Sequence, residues 1–347
     1  MPKNLFAKLL FLIFFLKFSL NTFAQEAKIS ANNYFSPYND VTVNAVWSDW
    51  QYFPQGRPAD LLPISQQTNT KAYTLAFIQA VGNSCKAAWA GTESLSVQNK
   101  WGIYLTNQLI TNSIKYFISL GGASGTDLSI TCSTVDNLTK EYENIISTYL
   151  PNGLDFDLEG ALLANRSALT KLLFAVKQIQ NEHPNILISF TLPTMPDGLT
   201  ADGQWLLNLA AKLNIKYKVN IMTMDYGYNY DQNMANYAIQ AANSLYLFLE
   251  KIYPKFSASQ IWNLIELTPM IGLNDVRSEN FTLTDAYNLT IFAKQNNLGG
   301  LHMWSVSRDK PCTLDYVSIN CSSLNNQKSN YEYMKIFANF QNLSYIN

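Results

Sequence analysis

Short apolar runs alternate with longer amphipathic stretches along most of this chain. The runs at Val41–Val46, Tyr73–Gln79, Lys115–Leu120, Gly153–Leu158, Ile186–Leu192, Lys218–Met224, Leu264–Met270 and Gly299–Trp304 have the length of strands. Between them, Val97–Thr111, Thr139–Tyr149, Arg166–Glu182, Gly203–Leu213, Asn233–Tyr253 and Thr284–Asn296 carry helical periodicity. Successive strand starts lie 32 to 46 residues apart, room each time for one helix and two loops. An eightfold strand–helix alternation predicts an α/β fold, the (β/α)8 TIM barrel, as a single domain over residues 25–347. A doubly wound open sheet is the competing arrangement, but no Gly-x-Gly-x-x-Gly turn follows the first strand. From Ile29 on there is no Pro/Gly/Ser-rich linker, low-complexity run or charge block to divide the chain.

The fourth run departs from a plain apolar strand. It reads Asn152-Gly153-Leu154-Asp155-Phe156-Asp157-Leu158-Glu159-Gly160. In a strand, residues two apart share a face, so Asp155, Asp157 and Glu159 line one side and Leu154, Phe156 and Leu158 the other. Like charges on one face repel, and acids are poor strand formers. The pattern fits an acidic face turned into a site, or else a solvated edge strand; spacing alone does not separate the two. Barrel enzymes place their chemistry at the C-terminal ends of strands, where Glu159 would lie.

Composition narrows the function. Charged residues make up 14% of the 347 and the net charge is −1, so no basic surplus points to nucleic acid. Tyrosine (20) and phenylalanine (19) are abundant, which suits sugar stacking but suits a large core equally. At the N-terminus, Lys3 and Lys8 precede the apolar run Leu9–Leu16, and Thr22-Phe23-Ala24 offers small residues at a cleavage site before Gln25. Residues 1–24 therefore read as a signal peptide, with a secreted or periplasmic product that has no membrane span after cleavage. The four cysteines, Cys85, Cys132, Cys312 and Cys321, are then expected as disulfides; proximity favours Cys85–Cys132 and Cys312–Cys321 among three possible pairings. With no Cys-x-x-Cys and only His183 and His302, no metal or other cofactor is expected.

Other stretches at the predicted strand ends carry distinctive residues. Ser119-Leu120-Gly121-Gly122 ends the third strand; paired glycines permit a sharp turn or a close approach of backbone to ligand. Met222-Thr223-Met224-Asp225-Tyr226-Gly227 ends the sixth, and His302-Met303-Trp304 the eighth. Singly, Asp225 reads equally as a helix cap and Trp304 as core.

Together these stretches are identified with the family 18 glycoside hydrolases, the chitinases and their relatives. Residues 152–159 resemble that family's Asp-Gly-x-Asp-x-Asp-x-Glu signature, with Asn152 in place of the first Asp. Ser119-x-Gly121-Gly122 resembles its third-strand motif, and Met224-Asp225-Tyr226 the order found in a subgroup of secreted bacterial chitinases, many other members having Tyr where Met224 stands. Further matches, among them Thr191-Leu192-Pro193 and Thr268-Pro269-Met270, extend the resemblance over roughly residues 30 to 310. The resemblance implies that Ser119 bonds the deeper carboxylates, that Asp225 and Tyr226 contact the substrate's N-acetyl group, and that Trp304 floors the sugar site. Gly121, Gly122, Met224 and Met270 are placed with the substrate-binding set. Tyr38, Gln79, Met270 and Asn274 are further candidates for lining the cleft, although such residues more often pack a core or a loop.

A mechanism follows from the carboxylates. Three on one strand face do not straddle a sugar, so the substrate-assisted exception among glycosidases fits: the 2-acetamido oxygen is the nucleophile. Glu159 is the expected acid and later base, Asp157 the group that orients the acetamide, and Asp155 its proton-sharing neighbour. The substrate is then a β-1,4-linked N-acetylglucosamine polymer or oligomer such as chitin, cleaved with retention by a monomer. An endo-β-N-acetylglucosaminidase on other glycans stays open, as does a chitin-binding lectin, although lectins of this kind lose Glu159 or Asp157.

Overall fold

The computed structural model describes residues 33–340; the signal peptide expected over residues 1–24 lies outside them. The strands, in chain order, are β1 (Tyr34–Phe35 and Tyr38–Asp40), β2 (Ala72–Ala80), β3 (Lys115–Gly121), β4 (Gly153–Asp157), β5 (Leu187–Met195), β6 (Lys218–Met222), β7 (Ile265–Thr268) and β8 (Gly300–Leu301). Each pairs in parallel with its neighbours. Closure falls on β1. Its first segment pairs with β8 through Tyr34↔Gly300 and Phe35↔Leu301, and its second pairs with β2 through Tyr38↔Thr74 to Asp40↔Ala76. The chain steps from one neighbour to the other at Ser36-Pro37, and a (β/α)8 barrel results.

The helices that follow these strands are α1 (Leu62–Thr68), α2 (Ile103–Thr111), α3 (Val135–Tyr149), α4 (Arg166–Glu182), α5 (Ala201–Lys212), α6 (Met234–Ile252), α7 (Leu283–Asn296) and α8 (Glu332–Ala338). Several start at a side-chain cap that satisfies an otherwise orphaned amide: Thr134, Asn165, Thr200 and Asn233 each accept one. Thr282 and Asp285 form a reciprocal capping box at α7. Inward stripes such as Leu169, Leu172, Leu173 and Val176 of α4 are fully buried against the sheet. That burial, rather than helix propensity, holds a helix in the outer ring.

Two expected elements differ. Val41–Val46 is a turn region, not the first strand. The true first strand is two short segments parted by Ser36-Pro37, too brief to show an apolar period; its ladder partners on β8 and β2 define it. Val97–Trp101 is likewise not helical, because Gly102 adopts φ +84° immediately before α2 and a helix does not run through that conformation. Both expected disulfides are present, Cys85–Cys132 and Cys312–Cys321. Among the described residues no helix is long and apolar enough to cross a membrane.

Candidate active site

Strand β4 sorts its side chains as the alternation requires. Phe156 faces outward, edge-on to Tyr142 of α3 at 5.3 Å and near Phe190 of β5 at 5.9 Å. Asp155 and Asp157 face the barrel interior, both buried. Glu159 lies just past the strand end, before the short helix Gly160–Ala164, and stays partly open to solvent. The three acids thus rise from the interior to the mouth.

Asp155 is the anchored member. Ser119 Oγ donates to its Oδ2 at 2.6 Å, Tyr38 Oη to the same oxygen at 2.8 Å, and Thr191 Oγ1 to Oδ1 at 2.6 Å. Asn220 Nδ2 supports this layer by donating to Tyr38 Oη and Thr191 Oγ1, each at 3.0 Å, and Thr268 Oγ1 donates to Asn220 Oδ1 at 2.8 Å. The network ties β1, β3, β4, β5, β6 and β7 into one polar layer. Burial raises the Asp155 carboxyl above its ordinary range, against the pull of these donors.

Asp157 has a different environment. Its Oδ1 is buried without a hydrogen-bond partner. Burial first, then the charges of Glu159 and Asp155, push its carboxyl well above the ordinary range. Glu159 is raised as well: burial is the largest cause, the hydrogen bond from Asp157 pulls it back, and the charge of Asp225 adds to the rise. Crowded carboxylates cannot all ionise, so Asp157 and Glu159 share a proton and titrate together.

The mouth above them is a cleft of ≈ 230 Å³. Asp157, Glu159, Asp225 and Asp275 supply its acids, and Thr191 and Thr268 its hydroxyls. Met222, Met224 and Met270 with Tyr38, Phe77 and Trp304 form its apolar wall. Trp304 stacks on Phe77 with centroids 5.6 Å apart and planes at 26°, and lies 6.0 Å from Tyr38. Such a mixture suits a sugar, whose C–H faces lie on aromatic rings while its hydroxyls need polar partners. Asp225 follows β6 with φ +53°, and its Oδ1 accepts from Val276 N at 2.9 Å.

The structure therefore brings Glu159, Asp157, Asp225, Met224, Met270 and Trp304 to one cleft, with Asp155 and Ser119 in the layer beneath. Gly121 and Gly122 stand behind the wall. A Cβ on Gly121 would lie 2.2 Å from Asp157 O, and one on Gly122 3.1 Å from the Phe77 ring. Gly121 thus lets the chain pack closely on β4, and Gly122 leaves room for the Phe77 ring of the cleft wall. Tyr226 is not among the residues that line the cleft. Its ring is buried against Tyr230 and Tyr237, and its hydroxyl, near Thr223 and Glu279, is buried without a hydrogen-bond partner. The positive φ at Asp225 ends the strand, so the next side chain no longer follows the alternation. Gln79 holds the glycine loop from behind, donating to Gly121 O at 2.8 Å and Ser124 O at 2.5 Å, and Asn274 donates within its own loop to Met270 O and Gly272 O.

Phe77, Thr191, Asn220, Met222, Thr268 and Asp275 were not singled out from the sequence as site residues. Asn220 did carry a signal: a polar residue in an apolar strand, two positions from Lys218 and Met222, must point inward with them. Deeper in the barrel, Glu266 accepts from Ser189 Oγ at 2.9 Å and Tyr34 Oη at 2.5 Å, with Lys218 Nζ at 3.5 Å and His302 Nε2 at 3.3 Å. Burial alone would raise Glu266, but His302 and Lys218 outweigh it and hold it at about 2. Among the described residues, Glu143, Glu182 and His183 are close enough to share a metal ion, yet His183 Nε2 already pairs with Glu143 at 2.8 Å on the helical exterior. A separate depression is lined by Ser133, Thr134, Val135, Arg166, Lys171 and Phe174 and includes none of the three carboxylates.

Comparison with known proteins gives a consistent result. No protein-family model matches the chain. It is 31% identical over 320 residues to a probable bifunctional chitinase/lysozyme of Escherichia coli K12, and 30% identical over 295 residues to endochitinase 11 of Metarhizium anisopliae. These matches cover 88% and 81% of this chain but only 34% and 53% of those proteins, so the chain spans about a third to a half of their length. The crystal structure of the catalytic domain of a hyperthermophilic chitinase from Pyrococcus furiosus is 34% identical with TM-score 0.76, covering 89% of this chain and 95% of that domain. Similarity at that level over nearly a whole catalytic domain, with the acidic strand built as described, makes this chain a member of the chitinase family, glycoside hydrolase family 18.

Proposed function

We propose that the chain hydrolyses β-1,4-linked N-acetylglucosamine polymers and oligomers with retention, using the substrate's acetamide as nucleophile. One observation carries this reading: Asp157 Oδ1 is buried with no partner, between anchored Asp155 and half-open Glu159. An orphaned buried acceptor calls for a donor, and the acetamide N–H of a sugar lying on Trp304 supplies one. Glu159 then protonates the leaving oxygen while the acetamide oxygen attacks the anomeric carbon. Asp157, accepting from the N–H, stabilises the positive oxazolinium that forms. Departure of the leaving sugar frees Glu159, now a carboxylate, to take a proton from water, which opens the ring on the face the leaving group occupied. The raised acidity range of Glu159 keeps a proton on the pair where a general acid needs one. Catalytic-site mutants of the related Pyrococcus furiosus domain were crystallised with chito-oligosaccharides, which supports that substrate class. The leader-like N-terminus and the two disulfides support export, and we take the acting species to be a monomer.

The test is hydrolysis of N-acetylchitooligosaccharides by wild type and Glu159→Gln, with product anomers followed by proton NMR. Wild type should release the β-anomer, and the variant should lose about 10²–10⁴-fold in kcat. Release of the α-anomer would mean inversion, with Asp225 as the base for water. Binding without turnover would sink hydrolysis of this substrate; N-glycans would then separate the other hydrolase from a lectin.

A further inference from the structure

After β7 the chain forms a hairpin in which Gly272–Leu273 pairs antiparallel with Asn280–Phe281. Glu279, at the end of its connecting loop, is fully buried (0%). Its Oε1 accepts from Gly227 N at 2.7 Å, and the amides of Asp225 and Tyr226 also lie against the same carboxyl. The turn it holds has φ +53° at Asp225 and +116° at Gly227. A left-handed aspartate is not self-supporting. In return, Asp225 Oδ1 accepts from Val276 N of the hairpin loop. Two carboxyl groups thus cross between two loops, each gripping the other's backbone.

We propose that Glu279 is a positioning residue: by holding the 225–227 turn it keeps the Asp225 carboxylate in the cleft, facing Glu159. This rests on the reading of the cleft as a chitin-hydrolysing site that includes Asp225. Burial and the charge of Asp225 raise Glu279 to about 7, against the pull of the Gly227 amide. The ionisable groups around it are Asp225 and Tyr226 of the turn; Asp275 and Arg308 act in turn on Asp225. Glu279 therefore gains its charge near neutral pH, beside the aspartate it positions.

The experiment measures kcat and KM on chito-oligosaccharides from pH 5 to 8 for wild type, Glu279→Ala, Glu279→Gln and Asp225→Asn. Glu279→Ala should lose at least tenfold in kcat. Glu279→Gln, which keeps an acceptor for Gly227, should stay within threefold of wild type at pH 5 but lack the step in kcat/KM that wild type shows near pH 7. Wild-type kcat in Glu279→Ala, or a wild-type pH profile in Glu279→Gln, overturns the proposal; if the alanine variant does not fold, the glutamine profile decides. A fully active Asp225→Asn overturns the reading of Asp225 and the proposal with it. An inactive Asp225→Asn beside an unaffected Glu279→Ala overturns only the role of Glu279. One readout needs no turnover and so stands even if the substrate is another glycan. The Gly227 amide proton should move upfield in Glu279→Ala, where its acceptor is gone, and much less in Glu279→Gln; an unmoved resonance in Glu279→Ala overturns the clasp.

Discussion

Ser119→Ala is a sharp test of how the buried polar layer sets the charge of the acidic strand. Ser119 Oγ is one of three hydroxyl donors on Asp155, at 2.6 Å, and the residue is wholly buried. A hydrogen bond to a charged group contributes about 1.5–3 kcal/mol and one between neutral groups about 0.5–1.5 kcal/mol. Losing it should therefore penalise the ionised carboxylate by about 1 kcal/mol more than the protonated acid, roughly fivefold in the protonation equilibrium. Burial already raises Asp155, and the variant raises it further. The sign follows from proton linkage. A folded state with a raised carboxyl binds protons that the unfolded chain releases, so stability falls as pH rises through the folded value. The deficit of Ser119→Ala should thus be smallest where Asp155 is protonated in both proteins. It should grow as pH rises through the wild-type value and level off above the variant's. Urea unfolding at a series of pH values reads this as a widening gap between midpoints at constant slope. A gap of the same size at every pH would refute the claim that Ser119 acts through the charge of Asp155.

Other expectations probe the frame of the site. Gly121→Ala places a Cβ 2.2 Å from Asp157 O at φ +100°; overpacking and left-handed strain together should cost about 2–5 kcal/mol in denaturant unfolding, and a cost under about 1 kcal/mol would contradict the geometry. Cys85–Cys132 closes 47 residues and Cys312–Cys321 only 9; serine replacement of the first pair should cost about 4 kcal/mol and of the second about 2.5 kcal/mol on chain entropy, and the reverse order would argue against that account. Glu266, held at about 2 rather than its ordinary 4.5, contributes stability that is present above 4.5 and lost as pH falls through 2. Lys218→Met should therefore move acid unfolding, followed by circular dichroism, to higher pH; an unmoved midpoint would show that His302 and the hydroxyl donors suffice.

Much of the barrel is legible in the chain because a parallel strand buried on both faces is a near-continuous apolar run. Arg166–Glu182 has the expected bounds, and Lys115, Gly153 and Lys218 each begin a strand as expected. Tyr34–Asp40 escapes because its identity as a strand lies in its partners, not in its own pattern. The acids of β4 are legible for the opposite reason: an alternation of charge and hydrocarbon on five residues has few physical explanations. The direction of Tyr226 is not legible in the chain, because adjacency to Asp225 says nothing of direction once the backbone turns left-handed. Glu279 is silent in the sequence, since a single glutamate in a loop looks like any solvated one.

The sequence by itself determined the order of strands and helices, the side of β4 on which Asp155, Asp157 and Glu159 fall, and the cysteines available to pair. Those are consequences of local period and residue type. Only the tertiary structure decided which groups from other strands meet those acids. Ser119, Tyr38, Thr191 and Asn220 come from four different strands, and hydrogen bonds of 2.6–3.0 Å among them and Asp155 exist only when the barrel closes. Burial at that closure raises Asp157 and Glu159 and leaves one oxygen of Asp157 without a partner. Desolvation is a property of the space around a group, and a chain that has not folded has no such space.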